Sequence, residues 1–232
     1  MISLYNGAIP NGILGCRAET LMRCYGDIDN SVLLYKSDSG AVLCRFGQTL
    51  LVCGEVDGEI LEFADALCIN QIEADRLWVV PAGWKTEKYP VLYRECDGNT
   101  AVPTLERLNE CYNIICTADE EFAGNTEYLY WLSDMVRRQN RGCAKAYCRD
   151  GAAAVVSASC SGEAYLSQVA VHSEKRGEGR ASELLNTIFS DLFLCGKRLY
   201  TAAQNEGLIP FYLKLGFLRL DESLIILKKE HI

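Results

Sequence analysis

The chain has 232 residues, 49% of them apolar and 23% charged, with a formal net charge of −8. That length and balance describe a globular protein of one large or two small domains. The acid excess argues against nucleic acid as a partner, and no run of roughly 18 apolar residues offers a membrane helix. The opening "MISLYNGAIPNG" lacks the basic start and apolar core of a secretory signal, so the expected setting is cytoplasmic. Twelve cysteines are scattered without any C-x-x-C, and only His172 and His231 could join them. The expectation is free thiols in a reducing compartment and no metal site.

Charge divides the chain unevenly. Residues 1–110 carry nine Lys/Arg against sixteen Asp/Glu, and residues 111–232 fourteen against fifteen. In the first half, "RAETLMRCYG" suits a helix and "SVLLYKSDSGAVLCRFGQTLLVCGEVDG" three strands joined by tight turns. "EILEFADALCIN" suits a short helix, "DRLWVVP" a strand, and "AGWKTEKYPVLYRECDGNTAVP" a connector with some extended structure. Residues 1–110 thus read as a smaller α+β domain with no glycine-rich loop.

The second half, 111–232, begins with "YNIICTADEEF", whose start is strand-like. "NTEYLYWLSDMVRRQNRG" comes next as a helix with Asn125 as N-cap, an apolar stripe of Leu129, Leu132 and Met135–Val136, and Gly142 at its end. "AKAYCRDGAAAVVSAS" predicts a hairpin around Asp150–Gly151, and "EAYLSQVAVHS" a strand. After the loop "SEKRGEGR", Ala181, Leu184, Leu185, Ile188, Phe189 and Leu192 recur at helical spacing toward Gly196. "KRLYTAAQ" reads as a strand. "NEGLIPFYLKLGF" reads as a short helix with Pro210 in its first turn and Gly216 at its end. "LRLDESLIILKK" supplies final strand material around an Asp221–Glu222 turn.

The loop before the 181–192 helix is built to meet an anion. Amides at a helix N-terminus lack intrahelical partners and face the positive end of the dipole, so phosphate binds there readily. Small residues at Gly177, Gly179 and Ala181 admit phosphate to the backbone, and Arg176 and Arg180 can add charge-assisted bonds. No Walker sequence is present. A dinucleotide fingerprint fails as well: the third glycine is missing and the following strand ends at Gln204, not at an acid. Glu178, an acid beside a dianion, is expected to point to solvent.

From Val169 the chain reads "VAVHSEKRGEGRASELL", in which Arg176, Gly179 and Ala181 fill Q/R-x-x-G-x-G/A. One strand later, Asn205, Phe211, Tyr212, Gly216 and Phe217 match N-x-x-A-x-x-F/L-Y-x-x-x-G-F, with Leu208 larger than the pattern's alanine. Together these resemble the GCN5-related N-acetyltransferase (GNAT) superfamily over about residues 112–230. The resemblance implies a mixed central α/β sheet flanked by helices and splayed between its fourth and fifth strands. Coenzyme A would lie in the opening, with residues 1–110 a degenerate GNAT-like unit in front.

The implied reaction carries an acetyl group from acetyl-coenzyme A to a primary amine of a small molecule or peptide, without a metal. Tyr212 stands where the family's general acid stands. Arg176, Gly177, Gly179, Arg180 and Ala181 would grip the pyrophosphate, backbone groups of Val169 and Val171 the pantetheine arm, and Asn205 would serve as helix N-cap and cofactor contact. Glu163, at the start of its strand, is the best-placed carboxylate for a base; Ser167 and Gln168 could order water, and His172 is a weaker base candidate. The charge of residues 1–110 suits a cationic acceptor. The alternative is a non-catalytic acyl-coenzyme A sensor or interaction protein.

Overall fold

A computed structural model describes residues 1–28, 30–78 and 80–230. His231, and Val79 of the expected strand 75–81, lie outside the described residues. The chain forms two compact units: Met1–Leu92 with Ala202–Phe211 and Leu218–Ile232, and Tyr93–Thr201 with Tyr212–Phe217. The expected boundary at 110/111 falls inside the second unit.

In the first unit, β1 (Ser3–Leu4), β2 (Val32–Lys36), β3 (Val42–Phe46) and β4 (Thr49–Val56) pair in antiparallel succession. Helix α1 (Ile13–Tyr25) lies between β1 and β2 in the chain; Arg17 on it grips the buried Glu73 carboxylate with both arms of its fork, Nη2 to Oε1 at 2.8 Å. Helix α2 (Gly58–Ala66), capped by the Asp57 side chain at the Ile60 N–H (3.0 Å), crosses over to β5 (Gln71–Leu77), parallel to β4. Beside β5 in the sheet stands β11 (Leu218–Lys229), antiparallel, and then β6 (Trp84–Cys96). Alternating residues of these strands, among them Leu43, Leu50, Val52, Ile72 and Leu227, close over Ile60 and Ala64 of α2 as a core.

Three expectations fail in this unit. The strand expected at 75–81 is β5, which begins at Gln71 and ends at Leu77. The supposed connector is the thirteen-residue strand β6; Pro90 and its polar flank hid it, yet the Pro90 carbonyl accepts the Ala203 N–H at 2.9 Å. The expected turn at Asp221–Glu222 is absent, because β11 runs straight through it. Leu224, Ile225 and Leu227 bury themselves while Asp221 and Glu222 stay exposed. With Glu55, Asp75, Arg76, Trp78 and Lys88 those two acids line a cavity of about 530 Å³.

In the second unit, α3 (Leu108–Ala118), α4 (Glu120–Asn125) and α5 (Tyr128–Asn140) precede β7 (Lys145–Arg149), β8 (Ala152–Ser159) and β9 (Glu163–Val171). Then come α6 (Arg180–Phe189), β10 (Lys197–Ala202) and α7 (Ile209–Lys214), whose residues from Tyr212 belong to this unit. The sheet order is β10-β9-β8-β7, with the end of β6 beyond β10. β7 and β8 form the expected hairpin, with Asp150 and Gly151 both at positive φ.

The strand expected at Tyr112 is the middle of α3. Leu108 and Cys111, upstream of Tyr112, complete with Ile114 and Ile115 a buried stripe at helical spacing. Asn125 ends α4 and does not cap α5, whose N-cap position is Glu127. On α5 the buried pair is Trp131 and Met135, while Leu129 and Val136 are exposed. Helix α6 stops at Phe189, seven residues before Gly196. Asp191 breaks it by capping a 3₁₀ turn, its carboxylate accepting from Phe193 N–H (3.1 Å). The same buried carboxylate takes Lys145 Nζ at 2.6 Å and the Tyr147 hydroxyl at 2.8 Å, so breaking the helix satisfies a buried charge.

Each unit contains the same succession: two antiparallel pairings, a crossover helix and a parallel pairing (β2-β3-β4-α2-β5 and β7-β8-β9-α6-β10). No residue-level repeat accompanies it.

Asp75 supplies a pH test of the first unit. Burial pushes its carboxyl up to about 6, against the pull of the Gly54 N–H bonded to it at 3.0 Å. The folded state therefore holds this proton more tightly than the unfolded chain, and the associated stability is present in full below the unfolded pKa of 3.8 and is lost as pH rises through about 6. Asp75→Asn, which keeps an acceptor for Gly54, should be more stable than the parent at pH 8 by on the order of 1–2 kcal/mol. The difference should shrink toward pH 4.5 in urea unfolding curves.

Candidate functional site

Strands β9 and β10 are paired in parallel over four rungs: Glu163↔Arg198, Ala164↔Leu199, Tyr165↔Tyr200 and Leu166↔Thr201. Beyond Leu166 the pairing with β10 ends, while β9 continues to Val171 bound to β8 on its other side, Val169 opposite Ala154 and Val171 opposite Ala152. Among the described residues Ser167–Val171 therefore present a strand edge with no strand beside it on the β10 side, the kind of edge that accepts an extended ligand.

At the end of that edge the chain enters the loop 172–179. His172 fixes its start, donating its backbone N–H to the Gly151 carbonyl (3.0 Å) and meeting Thr117 Oγ1 through Nδ1 (3.2 Å). Arg176 folds back, its Nε donating to the Val171 carbonyl at 3.3 Å, so loop and strand end are brought together. Gly179 is the N-cap residue of α6 at φ 80°, a conformation costly for any residue with a Cβ, and no side chain caps the helix. An added Cβ at Gly177 or Gly179 would meet nothing within 4 Å, so backbone conformation and not crowding within the protein requires glycine there. The first-turn amides of α6, Arg180 and Ala181 among them, have no intrahelical acceptors. Arg180 bonds to Glu178 (3.4 Å) and Glu183 (3.5 Å), and Glu178 stands about half exposed at the surface, as its charge requires.

Tyr212 occupies the third position from the end of α7 in a Schellman cap. The Phe217 N–H returns to the Tyr212 carbonyl (3.1 Å), the Gly216 N–H to the Leu213 carbonyl (3.0 Å), and Gly216 takes φ 80°. The accompanying apolar contact is between the Tyr212 and Phe217 rings, edge to face at 5.3 Å. The motif Y-x-x-x-G-F is therefore a helix stop that locks tyrosine against phenylalanine. The Tyr212 hydroxyl hydrogen-bonds to Thr201, and Thr201 Oγ1 donates to the Leu166 carbonyl at 3.1 Å. The phenol is thus moored at the last rung before the strands stop pairing. A phenol is protonated at neutral pH in any case, and burial pushes this one's pKa up further.

The remaining candidates lie elsewhere. Glu163 is on the first rung, about 10 Å along β9 from Leu166, buried and holding the Tyr200 hydroxyl at 3.0 Å. It is not brought to Tyr212. Asn205 heads a 3₁₀ turn (Glu206–Leu208) with its carbonyl accepting from Leu208 N–H (3.2 Å), but its side chain makes no capping bond, and it belongs to the first unit. Ser167 Oγ lies 3.3 Å from the Val155 carbonyl and 3.4 Å from Gln168 Oε1. Thr201 escaped the sequence reading, because a threonine in a strand carries no sign of a partner eleven residues on. Among the described residues no group of three or more His, Cys, Asp or Glu could hold a metal ion, and no helix is long and apolar enough to cross a membrane.

Residues 104–217 match the acetyltransferase (GNAT) family. Solved structures of similar fold include a GCN5-related N-acetyltransferase from Kribbella flavida (TM-score 0.60, 12% identity, 96% of this chain and 98% of that one). Another is a GCN5-related N-acetyltransferase from Sphaerobacter thermophilus (TM-score 0.56, 15% identity, 91% and 85%). A functionally unknown conserved protein from Staphylococcus epidermidis is also similar (TM-score 0.57, 11% identity, 89% and 98%). At these identities the likeness is one of fold. No curated protein matches the chain in sequence.

Two glycines of the site should respond differently to alanine. Gly179→Ala meets open space and should cost only the left-handed penalty, about 1–2 kcal/mol. Gly216→Ala adds a Cβ 2.8 Å from Arg94 Nη1 to the same penalty and should lose more. Urea unfolding of both variants checks the order.

Proposed function

Because residues 104–217 match the acetyltransferase (GNAT) family, we propose that the protein is an acyl-coenzyme A-dependent N-acyltransferase. It moves acetyl from acetyl-coenzyme A to a primary amine of a small molecule or peptide. One observation carries this reading. The uncapped N-terminus of α6, the free edge of β9 and the buried phenol of Tyr212 all belong to one end of the β9–β10 pair, the end where pairing stops.

The chemistry asks for three things. The pyrophosphate needs donors, which the first-turn amides at Arg180 and Ala181, the Gly177–Gly179 backbone and the Arg176 and Arg180 guanidiniums supply. The pantetheine amides need an extended partner, which Val169 and Val171 supply as a strand edge. The thioester brings a leaving sulfur whose parent thiol has a pKa of about 8.5. Tyr212, a phenol protonated at neutral pH, holds the proton for that sulfur at its hydroxyl.

The amine must also lose a proton, since an alkyl ammonium has a pKa near 10. The position of Glu163, engaged by Tyr200 on the first rung, favours water over a direct carboxylate base. Ser167 and Gln168 on the free part of β9 would hold that water. The acid excess of residues 1–110 supports a cationic acceptor.

Free thiol release from acetyl-coenzyme A, measured against a panel of amines, tests the proposal. At least one amine should raise turnover, and Tyr212→Phe should lower kcat about 100-fold or more while coenzyme A still binds. Coenzyme A binding with no amine-stimulated turnover would instead support a sensor without catalysis.

A further inference from the structure

Arg94 lies on β6, outside the segment that matches the family, and 121 residues before its partner in the chain. Its Nη1 donates to the Leu215 carbonyl, and its guanidinium plane stacks on the Phe189 ring with 4.3 Å from Cζ to the centroid. Its Nε is buried and without a hydrogen-bond partner among the described residues. Arg94, Phe189 and the Tyr212–Phe217 segment belong to the same unit.

Leu215 is the last residue of the Schellman cap before Gly216. The two bonds of such a cap satisfy the carbonyls of Tyr212 and Leu213. They leave the Leu215 carbonyl unserved, and Arg94 serves it. The contacts continue inward. Phe189, under the guanidinium, packs edge to face on Phe217 at 5.7 Å, and Phe217 packs in the same way on Tyr212 at 5.3 Å. Arg94 thus touches the cap twice, once through the backbone at Leu215 and once through the aromatic series that ends at the Tyr212 ring. Helix α7 has only six residues, too few to fix its own direction by internal bonds. Its end must be held from outside.

We infer that Arg94 is a positioning residue for Tyr212, holding the α7 cap so that the phenol stays at the Thr201–Leu166 rung. The inference rests on the acyltransfer reading only for its effect on rate; the placement of the phenol is independent of it. Arginine suits the role because one planar group donates along its edge and stacks through its face at the same time, whereas lysine presents a single point charge without a plane to stack.

The test uses the full chain with ¹³Cζ-labelled tyrosine, the Tyr212 signal being the one lost in Tyr212→Phe. Arg94→Met should move the Tyr212 signal and lower its titration midpoint toward that of an exposed phenol. With acetyl-coenzyme A and a stimulating amine, kcat should fall about 10- to 100-fold with KM for acetyl-coenzyme A little changed. Arg94→Lys, which keeps the donor and should fold even where methionine does not, should lie between. A Tyr212 signal and midpoint unchanged in both variants would overturn the inference, as would kcat and cofactor affinity falling together in step with stability. If Tyr212→Phe leaves turnover intact, the general-acid reading fails while the Tyr212 signal still decides the role of Arg94.

Discussion

The strand pair β9–β10 stops being a pair after Leu166 and Thr201, and the site depends on that. Parallel strands normally keep their ladder because an unpaired backbone edge loses its hydrogen bonds. Here the edge of Ser167–Val171 has no strand beside it among the described residues on the β10 side, while the opposite edge stays bound to β8. The loop 172–179 completes the opening. It ends on a left-handed glycine at an uncapped helix, and Arg176 ties it back to Val171. On the β10 side, Thr201 at the last rung receives the Tyr212 phenol.

The first unit shows what the same topology does without that opening. Its parallel pair β4–β5 begins with the same rung-by-rung register, then shifts between Val52 and Glu55 and continues to Val56↔Leu77. The pair bulges but stays closed, and Asp57 alone links β4 to α2 while capping it with its own carboxylate. A helix end reached in one residue, with its Ile60 amide already taken by the Asp57 carboxylate, has fewer amides to offer and no loop to offer them in. The acidic excess of this half adds to the disadvantage for an anion. The two units share strand order and differ at the one place where phosphate would bind.

Much of the site was legible because its parts are local. The loop glycines sit next to the helix they open, and Y-x-x-x-G-F is a complete cap within six residues, so sequence spacing carries its geometry. The hairpin at Asp150–Gly151 and the strands β9 and β10 were legible for the same reason. What the sequence hid was non-local or satisfied by tertiary partners. Helix α6 looked longer because Leu192 keeps the period, but the buried Lys145 and Tyr147 need Asp191 as a partner, and that ends the helix. The α3 helix resembles a strand from Tyr112 onward because half of its buried stripe, Leu108 and Cys111, lies before that point. The β6 strand and Arg94 on it were invisible, since nothing near residue 94 announces a carbonyl 121 positions later.

We propose that the N-terminus of α6 and the free edge of β9 form one binding surface for coenzyme A. An amide ¹H–¹⁵N titration of the protein with coenzyme A tests it directly. The amides of Gly177–Ser182 and Val169–Val171 should shift together with a single dissociation constant. Shifts confined to other parts of the chain, or none at coenzyme A concentrations in the millimolar range typical of weak ligands, would contradict it.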